Sequence, residues 1–392
     1  MIYDKAFFDQ PFDRHGTNCE KWDCLEERVG HEMNPMWVAD MDFRGPEEIT
    51  NALVQRAMHP AYGYTPPSVS HNKAMLDFMQ RRHGVTLKES EHTLMPCVVT
   101  GLRAAVMTMT QPGDAVIIQT PVYGPFYASI RDNNRVITEC LMHRDENNRY
   151  TMNFEAIEEA CKAGAKLMLL CNPHNPVGRA WSKEELTALV DLLSRYNVAL
   201  LSDEIHEDFV FEKGAFTPIL SIVTDPEANV AAVTSASKTF NLAGLKHAVF
   251  FCRNAQLLER VSAFMHEVGV VQYNLFGMVA AEAAYTYGDA WLDGMLAYIK
   301  EGADILREEL KAHLPKAIMT PLEATYLGWV DLNAYGFTCE QLLERCRKAG
   351  VEFTPGTFFG PVTGEGFMRV NLACQHDRVR LAVKQLANAI NA

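Results

Sequence analysis

The run Val198-Ala199-Leu200-Leu201-Ser202-Asp203-Glu204-Ile205-His206 decides the fold. From Val198 to Ser202 it is almost continuously apolar and shows no polar alternation, which predicts a strand buried on both faces. At its end the chain turns abruptly acidic, with Asp203 and Glu204. Carboxylates beside a buried strand are costly unless a cation or a hydrogen-bond donor meets them. Asp203 therefore has two readings. It is either the N-cap of a following helix or the counter-ion of a bound cation, with His206 facing the same ligand.

Similar short apolar runs lie on both sides: Cys97-Val98-Val99-Thr100, Ala115 to Gln119, Arg135 to Leu141, Lys166 to Cys171, Val230 to Ser235 and Ala248 to Cys252. Helical spacing separates several of them, as at Leu102 to Thr110 and at Leu186, Leu189, Val190 and Leu193. Ser182 and Glu185 predict a capping box for the second of these helices. Strands alternating with helices indicate an α/β fold with a large, mainly parallel sheet covered on both faces. Ligands of such sheets collect at the carboxyl ends of the strands. The pattern changes beyond about residue 274, where a helical stretch runs from Gly277 to Leu314 with expected interruptions near Gly288 and Gly294. The expected organisation is a large domain over 46–285 and a smaller α+β domain over 286–392, with an N-terminal segment, 1–45, packed on the small domain.

The chain has 392 residues, a prior for roughly two to three domains. Its composition, 48% apolar and 22% charged, is that of an ordinary folded protein. A net charge of −13 argues against general nucleic-acid binding. No segment has the length of apolar sequence needed to cross a bilayer, and the start, Met1-Ile2-Tyr3-Asp4-Lys5, lacks a signal-peptide pattern. The ten cysteines are scattered without any CxxC, which favours reduced thiols and a cytoplasmic protein. The histidines form no HExxH, so no metal site is expected, and no glycine fingerprint of a dinucleotide site is present.

Other polar groups stand at the strand ends. Asn172-Pro173-His174-Asn175-Pro176-Val177-Gly178 is a stiff, non-helical turn expected to hold two amides outward, or only a structural corner. Ser235-Ala236-Ser237-Lys238 puts a lysine after an apolar strand. It is either a solvated surface charge or a desolvated amine nucleophile. Lys246 adds a second cation suited to an anion such as phosphate. Thr100-Gly101-Leu102-Arg103 is expected to open a helix whose free N–H groups bind an anion. Tyr123 supplies an aromatic face, and Arg369 is either a surface ion-pair former or the fork that grips a carboxylate. Together these groups match the needs of pyridoxal 5′-phosphate: phosphate capture, ring stacking, a partner for O3′, a counter-ion for the pyridinium nitrogen and a Schiff-base lysine.

On the stretches Arg14-His15-Gly16-Thr17-Asn18, Lys21-Trp22-Asp23, Trp37-Val38-Ala39-Asp40-Met41-Asp42-Phe43, Tyr62-Gly63-Tyr64, Cys171 to Pro176, Ser202 to His206, Ser237 to Leu242 and Glu323 to Leu327, the chain resembles fold-type I pyridoxal-phosphate enzymes of the class I/II aminotransferase group. It is most similar to the MalY/PatB type of cystathionine β-lyase, the C–S lyases. The resemblance implies a catalytic set of Lys238, Asp203 and Tyr123. It implies that Gly101, Leu102, Ser235 and Lys246 hold the phosphate, that Asn175 and His206 meet O3′ and that Asn175 and Arg369 bind substrate. Tyr64 would reach the phosphate of the other subunit, which implies a homodimer with shared sites. The implied reaction is β-elimination from L-cystathionine or a related cysteine conjugate to a thiol, pyruvate and ammonia. Transamination between an L-amino acid and a 2-oxo acid is the alternative, and a regulatory protein-binding role could accompany either. His206 stands where aminotransferases often carry tyrosine, and Lys246 where many relatives carry arginine.

Overall fold

A computed structural model describes residues 2–392. Seven strands form the large sheet: β1 (His92–Met95), β2 (Ala115–Thr120), β3 (Val136–Leu141), β4 (Leu167–Cys171), β5 (Ala199–Asp203), β6 (Val230–Thr234) and β7 (Ala248–Cys252). Their order is β1-β7-β6-β5-β4-β2-β3. Pairing is parallel from β3 through β6, and β7 runs antiparallel to both its neighbours.

Alternation along each strand sends side chains to both faces, and both are covered. Leu167 and Leu169 of β4 share one face with Leu102 and Val106 of the helix Val98–Met109 and Val261 of the helix Ala255–Glu267. Met168 and Leu170 point the other way, toward Leu186, Leu189 and Leu193 of the helix Lys183–Arg195. That helix starts with the expected capping box, in which Ser182 Oγ accepts from the Glu185 N–H and the Glu185 carboxylate accepts from the Ser182 N–H. Each of these buried aliphatic side chains contributes about 1.5–3 kcal/mol, so the apolar runs fix which segments become central strands. The edge strand β3 is only partly covered and includes exposed positions.

Two local expectations are corrected. Cys97 to Thr100 is not a strand. The strand is β1, which stops at Met95 because Pro96 has no N–H for the ladder, and the helix Val98–Met109 begins directly afterwards. Packing of Val98, Leu102 and Val106 under the sheet overrides the β-preference of the two valines. The helical stretch breaks at Gly288 as expected but runs unbroken through Gly294, as the helix Asp289–His313. A Cβ at Gly294 would lie 2.0 Å from the Tyr3 carbonyl oxygen, so this glycine admits the N-terminal segment rather than ending a helix.

Beyond Gly288 a four-stranded antiparallel sheet, ordered Ile318–Met319, Leu327–Asp331, Phe367–Asn371 and Thr354–Pro355, is backed by the helices Cys339–Lys348 and His376–Asn391. The N-terminal residues dock here. Asn34–Pro35 pairs in parallel with Val351–Glu352, and Tyr298 donates to Asp9 at 2.7 Å. The segment Trp37 to Asp42 is tied down from several sides. Asn371 Nδ2 donates to the Val38 and Asp40 carbonyls, and Asn241 exchanges two bonds with Met41. The fully buried Lys21 pairs with Asp42 at 2.8 Å, while Arg14 pairs with Asp40 at 2.7 Å. This clamp holds a stretch of irregular backbone against the ends of the large sheet.

Candidate active site

The residues following five strand ends line one cavity of roughly 640 Å³: Pro96 to Val99 after β1, Tyr123 after β2, Asn175 after β4, Asp203 and His206 at and after β5, and Ser237 and Lys238 after β6. Trp37, Val38 and Ala39 of the clamped N-terminal segment and Phe353, Thr354, Phe358 and Arg369 from the C-terminal part of the chain complete the wall. Convergence at the carboxyl edge of a parallel sheet is where such folds place their ligands.

Asp203 is the last residue of β5 and is 3% exposed. A turn follows it rather than a helix, so it is not a helix N-cap. Its Oδ1 accepts from the Ile205 N–H at 3.1 Å, and among the described residues no cation forms an ion pair with it. Burial raises its pKa to about 7. A carboxyl buried at this cost lacks a cationic partner from its own chain.

Lys238 lies in the short helix Ala236–Thr239 and points its amine at the N-terminal segment, donating to the Ala39 carbonyl at 2.7 Å. Desolvation first, and then the charge of Arg369, lower its pKa to about 8. Near neutral pH a useful fraction of this amine is therefore unprotonated and nucleophilic. His206 is buried, and its Nδ1 has no partner. Burial and then the charges of Lys238 and Arg369 lower its pKa to about 3, so the ring is neutral. Tyr123 faces the cavity with its phenol pKa raised by burial.

Arg369, on the strand Phe367–Asn371, is 4% exposed. It donates to Asn175 Oδ1 at 3.2 Å, to the Trp37 carbonyl at 2.9 Å and to Thr354 Oγ1 at 3.2 Å. Its guanidinium lies over the Phe359 ring, its Nε is unpartnered, and no carboxylate pairs with it among the described residues. Burial lowers its pKa to about 10. The surface ion-pair reading fails, because an arginine held this way is oriented for an anion from outside the chain.

Several expected positions fall differently. The helix after β1 starts at Val98, and Thr100 and Gly101 already donate to the Cys97 carbonyl. The donors at the open end are therefore those of Val98 and Val99, and no side chain caps them. Gly101 and Leu102 are not cavity residues. Leu102 is fully buried, and a Cβ at Gly101 would lie 2.7 Å from Val233 Cγ2. Ser235 is buried behind the wall; its hydroxyl donates to the His247 carbonyl and accepts from the Ser237 N–H, while Ser237 lines the cavity. Asn172 does not face outward, because its amide donates to the Thr217 carbonyl and accepts from the Trp181 N–H. Only Asn175 of that turn reaches the cavity. Lys246 is exposed at the rim with φ +51°, an uncommon conformation for a side chain of this size. Tyr64 is 92% exposed and does not line the cavity of its own chain.

These groups fit pyridoxal 5′-phosphate part by part. The uncapped helix start and Lys246 suit its phosphate, the Tyr123 face its ring, and the unpaired Asp203 its basic nitrogen. His206 and Asn175 suit its phenolic oxygen, and the amine of Lys238 its aldehyde. The partnerless polar groups buried around the cavity are the observation that carries the fit.

Comparison with known proteins agrees. The family model described as aminotransferase class I and II matches residues 38–386. Cystathionine beta-lyase PatB of Bacillus subtilis is 39% identical over 389 residues, spanning 98% of this chain and 100% of that protein. The crystal structure of cystalysin from Treponema denticola, which contains a pyridoxal 5′-phosphate cofactor, matches with a TM-score of 0.94 at 31% identity, covering 100% of this chain and 99% of that one. The PLP-bound C–S lyase of Staphylococcus hominis matches with a TM-score of 0.89 at 30% identity, covering 98% of both chains.

Proposed function

The chain belongs to the aminotransferase class I and II family, and from that premise we propose that it is a pyridoxal 5′-phosphate-dependent carbon–sulfur β-lyase. Its substrate is L-cystathionine or a related cysteine S-conjugate, and its products are a thiol, pyruvate and ammonia. The observation that carries the reading is that one cavity holds both the buried amine of Lys238, turned to the Ala39 carbonyl, and a buried Arg369 that has no carboxylate partner among the described residues. The 39% identity to a named cystathionine beta-lyase supports elimination over transfer.

Bound in this cavity, the cofactor supplies an electron sink for charge developing at the substrate Cα. Asp203 holds the ring nitrogen in its protonated form, and the Val98 and Val99 N–H groups with Lys246 hold the phosphate. Arg369 takes the substrate α-carboxylate in its fork and, with Asn175 at 3.2 Å, fixes the orientation of the Cα–H bond. The amine of Lys238, poised by its lowered pKa, takes the Cα proton. The electron pair left at Cα forms the Cα=Cβ bond as the Cβ–S bond breaks, and the sulfur departs with the bonding pair and takes up the proton held by the Lys238 amine to leave as the thiol. Water then releases pyruvate and ammonia.

We further propose a homodimer and a cytoplasmic location. Tyr64 and, near it in sequence, Met58, Tyr62 and Val69 are exposed apolar side chains, which suits contact with a second copy whose cavity Tyr64 would complete. All ten cysteines are free, which suits a reducing compartment. No helix of the described residues is long and apolar enough to cross a membrane.

The test is incubation of the cofactor-loaded protein with L-cystathionine without any 2-oxo acid. Equal release of thiol and pyruvate is expected. Turnover that requires an added 2-oxo acid and yields no thiol would establish an aminotransferase instead.

A further inference from the structure

The cavity wall carries charged side chains that the reaction described above does not use: Glu20, Arg28, Arg347 and Glu352. Arg347 grips the buried Glu352 with two bonds of 2.7 Å. That carboxylate is thereby committed. Arg28 reaches it through one 3.4 Å contact, keeps 51% of its side chain exposed, and lies over the Trp37 indole at 5.2 Å. Arg28 is thus a cation with donors to spare, supported by an aromatic face.

Trp37 joins this cluster to the carboxylate-binding arginine. Its carbonyl accepts from Arg369 at 2.9 Å while its ring carries Arg28. A second link runs through the strand residues Glu352 and Thr354, two apart in the chain. Glu352 meets Arg28 and Arg347, and Thr354 Oγ1 accepts from Arg369 at 3.2 Å and donates to the Trp37 carbonyl at 2.8 Å. Glu20, which lines the same cavity, precedes Lys21, whose carbonyl accepts from the Trp37 indole N–H at 3.2 Å.

We propose that Arg28, supported by Trp37, and Glu20 of the same cavity form a subsite for the distal amino-acid group of a two-headed substrate. Arg28 takes the distal carboxylate and Glu20 the distal ammonium. The proposal rests on the β-lyase reading and makes it narrower. The preferred substrates are thioether-linked bis-amino acids such as L-cystathionine, whose two α-carbons are five bonds apart, rather than S-alkyl cysteines that end in a hydrocarbon.

The test compares the wild-type holoenzyme with Arg28→Gln and Arg28→Lys on two substrates, L-cystathionine and S-ethyl-L-cysteine. Arg28→Gln should raise KM for L-cystathionine about tenfold and leave kcat/KM for S-ethyl-L-cysteine within twofold, while Arg28→Lys should recover part of the loss. Binding of the non-cleavable carbon analogue LL-2,7-diaminosuberate, measured by calorimetry, should weaken in parallel. An equal fall on both substrates, or no change on either, overturns the subsite. If the wild-type protein releases pyruvate from neither S-ethyl-L-cysteine nor L-cystathionine, the β-lyase reading itself fails.

Discussion

Replacing Arg369 by glutamine tests the carboxylate grip. Arg369 is 4% exposed, has three oriented hydrogen bonds and a free Nε, and meets no acid among the described residues. A substrate carboxylate would complete it with two charge-assisted bonds of about 1.5–3 kcal/mol each. Allowing for overlap between them, the loss is about 3–5 kcal/mol, or about 100- to 10,000-fold in kcat/KM. A glutamine amide can still donate to the Trp37 carbonyl, so the local fold should survive, and circular dichroism checks that it does. Arg369→Lys retains the charge without the fork and should fall between the two. The assay is thiol release from L-cystathionine across a range of concentrations. A folded Arg369→Gln enzyme within about fivefold of wild type would refute the assignment.

Other consequences concern stability. Glu204, buried beside Asp203, accepts from the Ile219 N–H, and burial raises its pKa to about 8. The native state therefore holds this proton while the unfolded chain has released it. The resulting stability is fully present below about pH 4.5 and is lost as pH rises toward 8, on the order of 5 kcal/mol in all. Glu204→Gln keeps the acceptor and should flatten that decline in urea unfolding between pH 5 and 9, and an unchanged slope would exclude Glu204 as its source. Asp42→Ala leaves the fully buried Lys21 without its carboxylate and should cost about 3–5 kcal/mol, measured by thermal unfolding, with activity falling as the Trp37 to Asp42 wall loosens. Gly294→Ala should lower stability by about 1–3 kcal/mol despite alanine's better helix propensity, because the new methyl meets the Tyr3 carbonyl; faster proteolysis of the N-terminal residues is the expected sign.

Parts of this architecture are legible in the sequence for a physical reason. Strands covered on both faces must be continuously apolar, so β4 to β7 announce themselves, and a charged residue at such a strand end stands out, as Asp203 and Lys238 do. Where one residue type serves two structures, the reading fails. Val98 and Val99 have the β-branched character of a strand but open a helix, which moves the anion-binding end away from Gly101 and Leu102. Asn172 and Asn175 look equivalent in the turn, yet only tertiary contacts send one inward and the other to Arg369. The wall built from Trp37 and Ala39 acts through backbone carbonyls, which carry no signature of residue type. Their contribution follows from the long-range clamp formed by Lys21, Asp42, Asn241 and Asn371.

The role of Lys238 is the most direct point of attack. Wild-type protein loaded with pyridoxal 5′-phosphate should show the visible absorbance band of a lysine-bound cofactor and release pyruvate from L-cystathionine. Lys238→Ala should lose both the band and the pyruvate while remaining folded. A Lys238→Ala protein that keeps the band and still releases pyruvate would contradict the assignment of Lys238 as the group that anchors the cofactor and moves the Cα proton.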